Sequence, residues 1–173
     1  MTDQANASRL ANEAFDLWQA GNLEQARVLY DEAISLADPE HFGLPMYHGQ
    51  YASLLNYLGQ REQATEQMEK ALAAEIAQGY EEGSSPTIVA RYFLADQLLR
   101  LGHLERALDT LAPSIRHAPE SWLTRYQEAQ VLFAMDRRAD ARTAAALAVK
   151  HAPTADKAEE LRERLKEVFG GAG

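Results

Sequence analysis

Five histidines and 26 carboxylates are the side chains from which catalysis or metal binding would be built in this 173-residue chain. There are no cysteines, which excludes disulfides, thiolate metal sites and Cys nucleophiles. His41 and His48 are near neighbours in sequence, but a metal site needs further ligands in a defined geometry. No His-Glu-x-x-His pair, Gly-rich phosphate loop or Gly-x-Ser-x-Gly elbow is present. His117 and His151 each open a His-Ala-Pro triplet, 34 residues apart. Both fall near the end of a helical stretch, where a partly positive imidazole is favourable, so the pair reads as structural. Glu24, Glu62, Glu66, Glu69 and Glu105 fit a solvated helix face. Glu159, Glu160 and Glu163 alternate with Arg162, Arg164 and Lys166 at ion-pairing helical spacing. The reading is of a non-enzyme without metal or cofactor.

The bulk composition agrees with a folded protein. Hydrophobic residues make up 46% of the chain, too many for a disordered one. No apolar run reaches the roughly 18 residues of a membrane span. The start, MTDQANASRL, lacks the basic-then-apolar pattern of a secretory signal. A soluble cytoplasmic protein is the expectation. The net charge of −9 argues against nucleic acid and anionic membrane as partners. That charge is uneven: residues 1–87 carry 14 acidic and 4 basic side chains, and residues 88–173 carry 12 and 13. Either the N-terminal half has a solubilising surface, or it faces a basic partner.

Helical periodicity runs along almost the whole chain. Leu10, Ala14 and Leu17 share one face. Gly21-Asn22 breaks the pattern, and Asn22 is placed to cap the next helix, in which Leu23, Ala26, Tyr30 and Ala33 share a face. Asp38-Pro39 stops it. The same unit of helix, tight turn, helix and stop returns three times, with turns at Gly59, Gly102 and Asp136. The turn spacings of 38, 43 and 34 place insertions at EHFGL (40–44) and GYEEGSSP (79–86). Ser85-Pro86 reads as an N-cap with Pro at the first helical position. A last amphipathic stretch over about 155–169 suits a terminal cap.

These features resemble the tetratricopeptide repeat family, which returns about every 34 residues as a helix–turn–helix with small residues at fixed places and a closing Pro. The matching small residues are Ala14, Ala52, Ala95 and Ala129 on the first helices and Ala26, Ala64, Ala107 and Ala141 on the second. The bulky second-helix position holds Tyr30, Met68, Leu111 and Ala145, and Pro119 and Pro153 close their units. The family's early first-helix Trp is replaced by Leu10, His48, Arg91 and Arg125. The resemblance implies an all-α fold: a right-handed superhelical array of four repeats with a C-terminal capping helix. It implies a single repeat domain over 1–173, with repeats at about 7–40, 45–78, 88–121 and 122–155. The concave wall would be made by the first helices.

The resemblance also implies a binding groove. Its lining would be Asn12, Phe15 and Gln19, then Gln50, Ser53, Asn56 and Tyr57. Tyr92, Asp96 and Arg100 would follow, then Tyr126, Gln127 and Gln130. Trp18, Phe93 and Phe133 divide evenly between groove and core. Amide side chains both donate to and accept from an extended backbone, and aromatics bury area with little rotamer entropy to lose. The basic clamp by which some members hold a peptide carboxylate would fall on Ala11, Phe15, Gln50, Val89 and Phe93, none of them cationic. A neutral or partly apolar ligand segment fits better. The expected function is a protein–protein interaction adaptor or scaffold. The alternatives are a cytoplasmic chaperone for a secreted protein and a self-assembling module, with a homodimer compatible with the sequence.

Overall fold

The computed structural model describes residues 2–170, and every regular element among them is an α-helix. Helices come in pairs joined by three-residue turns: α1 (Gln4–Gln19) with α2 (Leu23–Leu36), α3 (Leu44–Tyr57) with α4 (Arg61–Ala77), α5 (Ser85–Arg100) with α6 (Leu104–His117), and α7 (Trp122–Ala134) with α8 (Arg138–Lys150). The turns demand a left-handed residue. Gly21, Gly59 and Gly102 supply it at φ 82°, 76° and 77°, and Asp136 supplies it at φ 60°. Glycine reaches that region without steric cost, and Asp tolerates it better than most residues.

Packing explains the alanines. Ala14, Ala26, Ala52, Ala64, Ala95, Ala107, Ala129 and Ala141 are all completely buried. A methyl at each crossing lets the paired helices approach closely. Two compact units result, one up to Tyr80 and one from Glu81 onward. In the first, Ala14, Ala26, Ala52 and Ala64 share one core cluster with Tyr30, Tyr51, Leu54 and Leu55. In the second, Ala129, Ala141, Ala144, Ala145 and Ala148 pack with Leu161, Leu165 and Val168. The small Ala145 is fully buried, in one cluster with Leu161, Leu165 and Val168 of the closing helices.

Several local expectations are corrected. The closing stretch is two helices, α9 (Ala155–Arg164) and α10 (Lys166–Gly170). The break falls at Leu165, whose side chain turns into the core as φ moves to −102° and ψ to 14°. The N-cap of α5 is Ser84, with Ser85 and Pro86 inside the first turn. Asn22 does occupy the N-cap of α2, but its side chain makes no capping bond.

The inserted segments are held by specific contacts. In the first unit, the Gln78 amide donates to the His41 carbonyl at 2.8 Å. In the second, the Thr87 hydroxyl donates to the Glu81 carbonyl at 2.7 Å. Gly83 lies against the end of α6, where an added Cβ would stand 2.9 Å from the His117 carbonyl oxygen. Arg91 Nε and Nη2 both donate to Glu82 Oε2, at 3.0 and 2.6 Å. Residues 81–84 are thus fastened to α5 and to the end of α6.

The place where the resembled family carries Trp is closed to solvent here. Leu10, His48 and Arg91 are buried, and Arg125 is nearly so, paired with Glu128 at 2.8 Å. Each polar occupant has its own partner. His48 Nδ1 lies 2.7 Å from Gln67 Oε1. Burial lowers the His48 pKa below its usual 6.5, the Gln67 bond opposes this, and Lys70 adds to the lowering. Below pH 6.5 the unfolded chain therefore binds a proton that the native imidazole refuses. Stability falls as pH drops from about 6.5 toward the lower native pKa. His48→Leu is expected to remove this component, flattening the melting temperature of the first unit between pH 7 and pH 5. An unchanged pH profile in the variant would show that the native imidazole protonates freely.

Candidate functional site

The first helix of each pair turns one face to its alanine crossings and leaves the opposite face outward. In the first unit α1 packs beside α3. Asn12, Phe15 and Gln19 are exposed on α1; on α3, Ser53 and Tyr57 are exposed while Gln50 and Asn56 are half-buried. Gln50 is positioned from below. The buried Tyr30 hydroxyl donates to its Oε1 at 3.4 Å, and the Tyr30 ring stacks on Tyr51 with centroids 5.6 Å apart. Burial raises the Tyr30 pKa strongly and pushes Tyr51 up to about 12, in the latter case with help from Asp31. Both phenols stay neutral hydrogen-bonding groups at physiological pH. Trp18 meets Phe15 edge-on at 6.0 Å and packs onto the core cluster.

In the second unit α5 packs beside α7. Tyr92 and Asp96 are half-buried and Arg100 is exposed, its Nε donating to Asp96 Oδ2 at 2.8 Å. Phe93, 54% exposed, meets the Tyr92 ring edge-on at 5.2 Å. On α7, Tyr126 and Gln130 are half-buried. Burial raises the Tyr92 pKa, and the nearby Asp96 and Tyr126 add to the shift. Arg164 of α9 hydrogen-bonds Tyr126, which raises its own pKa, and it pairs with Glu160 at 2.9 Å. Tyr92, Asp96, Arg100, Tyr126 and Arg164 thus form one polar–aromatic cluster.

Gln127 is the correction to the expected lining. It is fully buried, because α5, α6, α8 and α10 all pack on α7. It cannot meet a partner without unpacking them. Phe133 also packs onto the core, with the Arg138 guanidinium 3.9 Å above its ring. Three outward apolar residues were not among the expected lining: Met46 on α3, Val89 on α5, and Phe42 just ahead of α3. The spacing of Met46, Gln50, Ser53 and Tyr57 on one helical stripe was the available signal. Arg164 gave none, since its i, i+4 pairing with Glu160 reads equally well as a solvated face.

His41 packs on Phe42 and Tyr47, and His48 is engaged by Gln67. Among the described residues no group of three or more His, Asp or Glu is placed to hold a metal ion. No helix among them is long and apolar enough to cross a membrane.

Comparisons with known proteins agree with this architecture. The sequence profile of the tetratricopeptide repeat matches residues 7–32 and 88–113, most of the α1–α2 and α5–α6 pairs. No curated protein matches the chain in sequence. Among solved structures, MamA from Desulfovibrio magneticus RS-1 is similar at a TM-score of 0.64 and 17% identity, over 95% of this chain and 94% of that one. BtubC from P. vanneervenii aligns at 0.64 and 19% identity, over 98% and 91%. YrrB, a TPR protein with an unusual peptide-binding site, aligns at 0.60 and 20% identity, over 94% and 86%. At such identities the likeness is one of fold. The chain thus carries the tetratricopeptide repeat profile at residues 7–32 and 88–113, and its alanine-spaced helix pairs share the fold of these tetratricopeptide-like neighbours.

Proposed function

We propose that the protein is a non-catalytic adaptor that binds peptide or protein segments on the outward faces of its first helices, α1 and α3 in the first unit and α5 and α7 in the second. One observation carries the reading. Among the described residues of the eight paired helices, the large exposed apolar side chains on first helices are Phe15, Met46, Tyr57, Val89 and Phe93, against Val28 and Ile76 on second helices. Exposed apolar side chains gathered on one class of surface mark interaction sites. Amides and hydroxyls beside them, at Asn12, Gln19, Gln50, Ser53, Asn56 and Gln130, can bond a partner's backbone. Asp96, Arg100, Tyr92 and Tyr126 add a polar cluster. Gln127, being buried, is left out of this lining. The peptide-binding site of the structurally similar YrrB is consistent with this use of the fold.

The test is affinity capture from source-cell lysate, read by mass spectrometry, with wild type beside Tyr57→Asp/Phe93→Asp. Both residues are well exposed, so the variant is expected to fold. Recovery of the partner should fall about tenfold or more, as for loss of interface aromatics. A partner retained equally by the variant would place binding elsewhere and reject the proposal.

A further inference from the structure

The boundary at Tyr80 and Glu81 divides the charge as well as the contacts. Residues 1–80 carry 12 acidic and 4 basic side chains, a net of −8, while residues 81–173 carry 14 and 13, a net of −1. Inside this acidic first unit lies one neutral helix. The 14 residues of α3, LPMYHGQYASLLNY, include no Asp, Glu, Lys or Arg, and His48 is buried. Its outward side chains include Met46, 52% exposed, and Tyr57, 70% exposed, with Phe42 at 80% just ahead of the helix. Alongside, α1 presents Asn12, Phe15, Asp16 and Gln19 at i, i+3, i+4 and i+7, so that they share a stripe. Asp16 is exposed. No ion pair engages its carboxylate among the described residues, whereas the neighbouring Glu13 is held by Arg9 at 2.8 Å.

We propose that the α1–α3 face of the first unit docks a cationic amphipathic segment of a partner protein. Its apolar side chains would lie on Phe15, Met46 and Tyr57, and a Lys or Arg would meet Asp16. This rests on the adaptor reading and names the partner's chemistry. Charge complementarity selects the occupant. An acidic segment would be repelled by the field of the unit. A wholly apolar one would strip water from Asp16 without offering a counter-charge. A second copy presenting the same face would bring like charges together.

The test uses the full chain and three fluorescein-labelled synthetic peptides of equal length. One carries Leu and Lys at amphipathic helical spacing, one has Glu in place of Lys, and one has Ser in place of Leu. The Leu/Lys peptide should bind at least about tenfold more tightly than either control. Its affinity should weaken severalfold as salt rises from about 50 to 300 mM, as expected where paired charges are partly screened. Met46→Ser/Tyr57→Ser should cost about tenfold. Asp16→Asn should weaken binding and flatten the salt dependence. Glu62→Gln/Glu66→Gln, on the second helix α4, should leave binding unchanged. Equal loss in the α4 variant would mean diffuse attraction rather than a site, and would overturn the proposal. So would equal binding of the Leu/Glu peptide, or no binding of any peptide. A natural partner lost on Phe93→Asp but indifferent to Asp16→Asn and to salt would overturn this inference while sustaining the adaptor reading.

Discussion

Replacing Arg91 by Ala is expected to destabilise the second unit by about 3 kcal/mol, the low end of what breaking a buried ion pair costs. The Arg91 side chain is only 9% exposed. Two of its nitrogens donate to Glu82 Oε2, and Nη1 donates to the Thr110 carbonyl of α6 at 3.1 Å. One residue thereby ties the segment ahead of α5 to α5 and to α6. Glu82 is one-third exposed, so water can partly replace its lost partner, which keeps the expected cost at the low end. Glu82→Ala strands the more deeply buried guanidinium instead and should cost at least as much, about 3 kcal/mol. The double variant Arg91→Leu/Glu82→Ala should recover most of the loss, since a buried pair replaced by apolar groups is often neutral. The buried Leu10 stands at the matching place on α1. Urea unfolding followed by Trp122 fluorescence in a Trp18→Phe background reads the second unit alone. A change below about 0.5 kcal/mol for Arg91→Ala would mean that the pair is solvated and the segment unfastened.

The same pair shows where reading from sequence stops. Helix pairs were legible because alanines stand twelve residues apart around each turn, as in Ala14 and Ala26 or Ala129 and Ala141. Local spacing on two short helices suffices to bring those methyls together. The outward stripes of α1, α3 and α5 follow as the opposite face, which is why Phe15, Ser53, Tyr57 and Arg100 are exposed. Burial by a third or fourth helix is not a local property. Gln127 has a groove-facing register but is closed over by its neighbours, and Arg164 meets Tyr126 only through the way α9 docks. The buried Arg91 was likewise invisible, because its partner lies nine residues back in an insertion without helical period. Polar residues at closed positions depend on such tertiary partners, so pattern alone places them on the surface.

Enlarging an alanine at a helix crossing is the other change expected to carry a large penalty. Ala52→Leu should destabilise the first unit by about 3 kcal/mol, the upper part of the usual range for overpacking. Ala52 is fully buried in the same cluster as Ala14, Ala26 and Ala64, with the stacked Tyr30 and Tyr51 rings beside it. Helix separation in such crossings depends on the side chains at the contact. Three added carbons must therefore spread α3 from its neighbours or force rotamers off their minima. At about 4–8 °C per kcal/mol for a unit of this size, the melting temperature should fall by roughly 12–24 °C. Ala146→Leu, on the exposed side of α8, adds the same atoms and should stay within about 0.5 kcal/mol of wild type. The contrast separates crowding from hydrophobicity and helix propensity, which the two substitutions share. If Ala52→Leu were tolerated as well as Ala146→Leu, the helices would not be in close contact at Ala52. The alanine spacing would then lose its physical meaning as the device that sets how these pairs cross, and with it the register that turns Ser53 and Tyr57 outward.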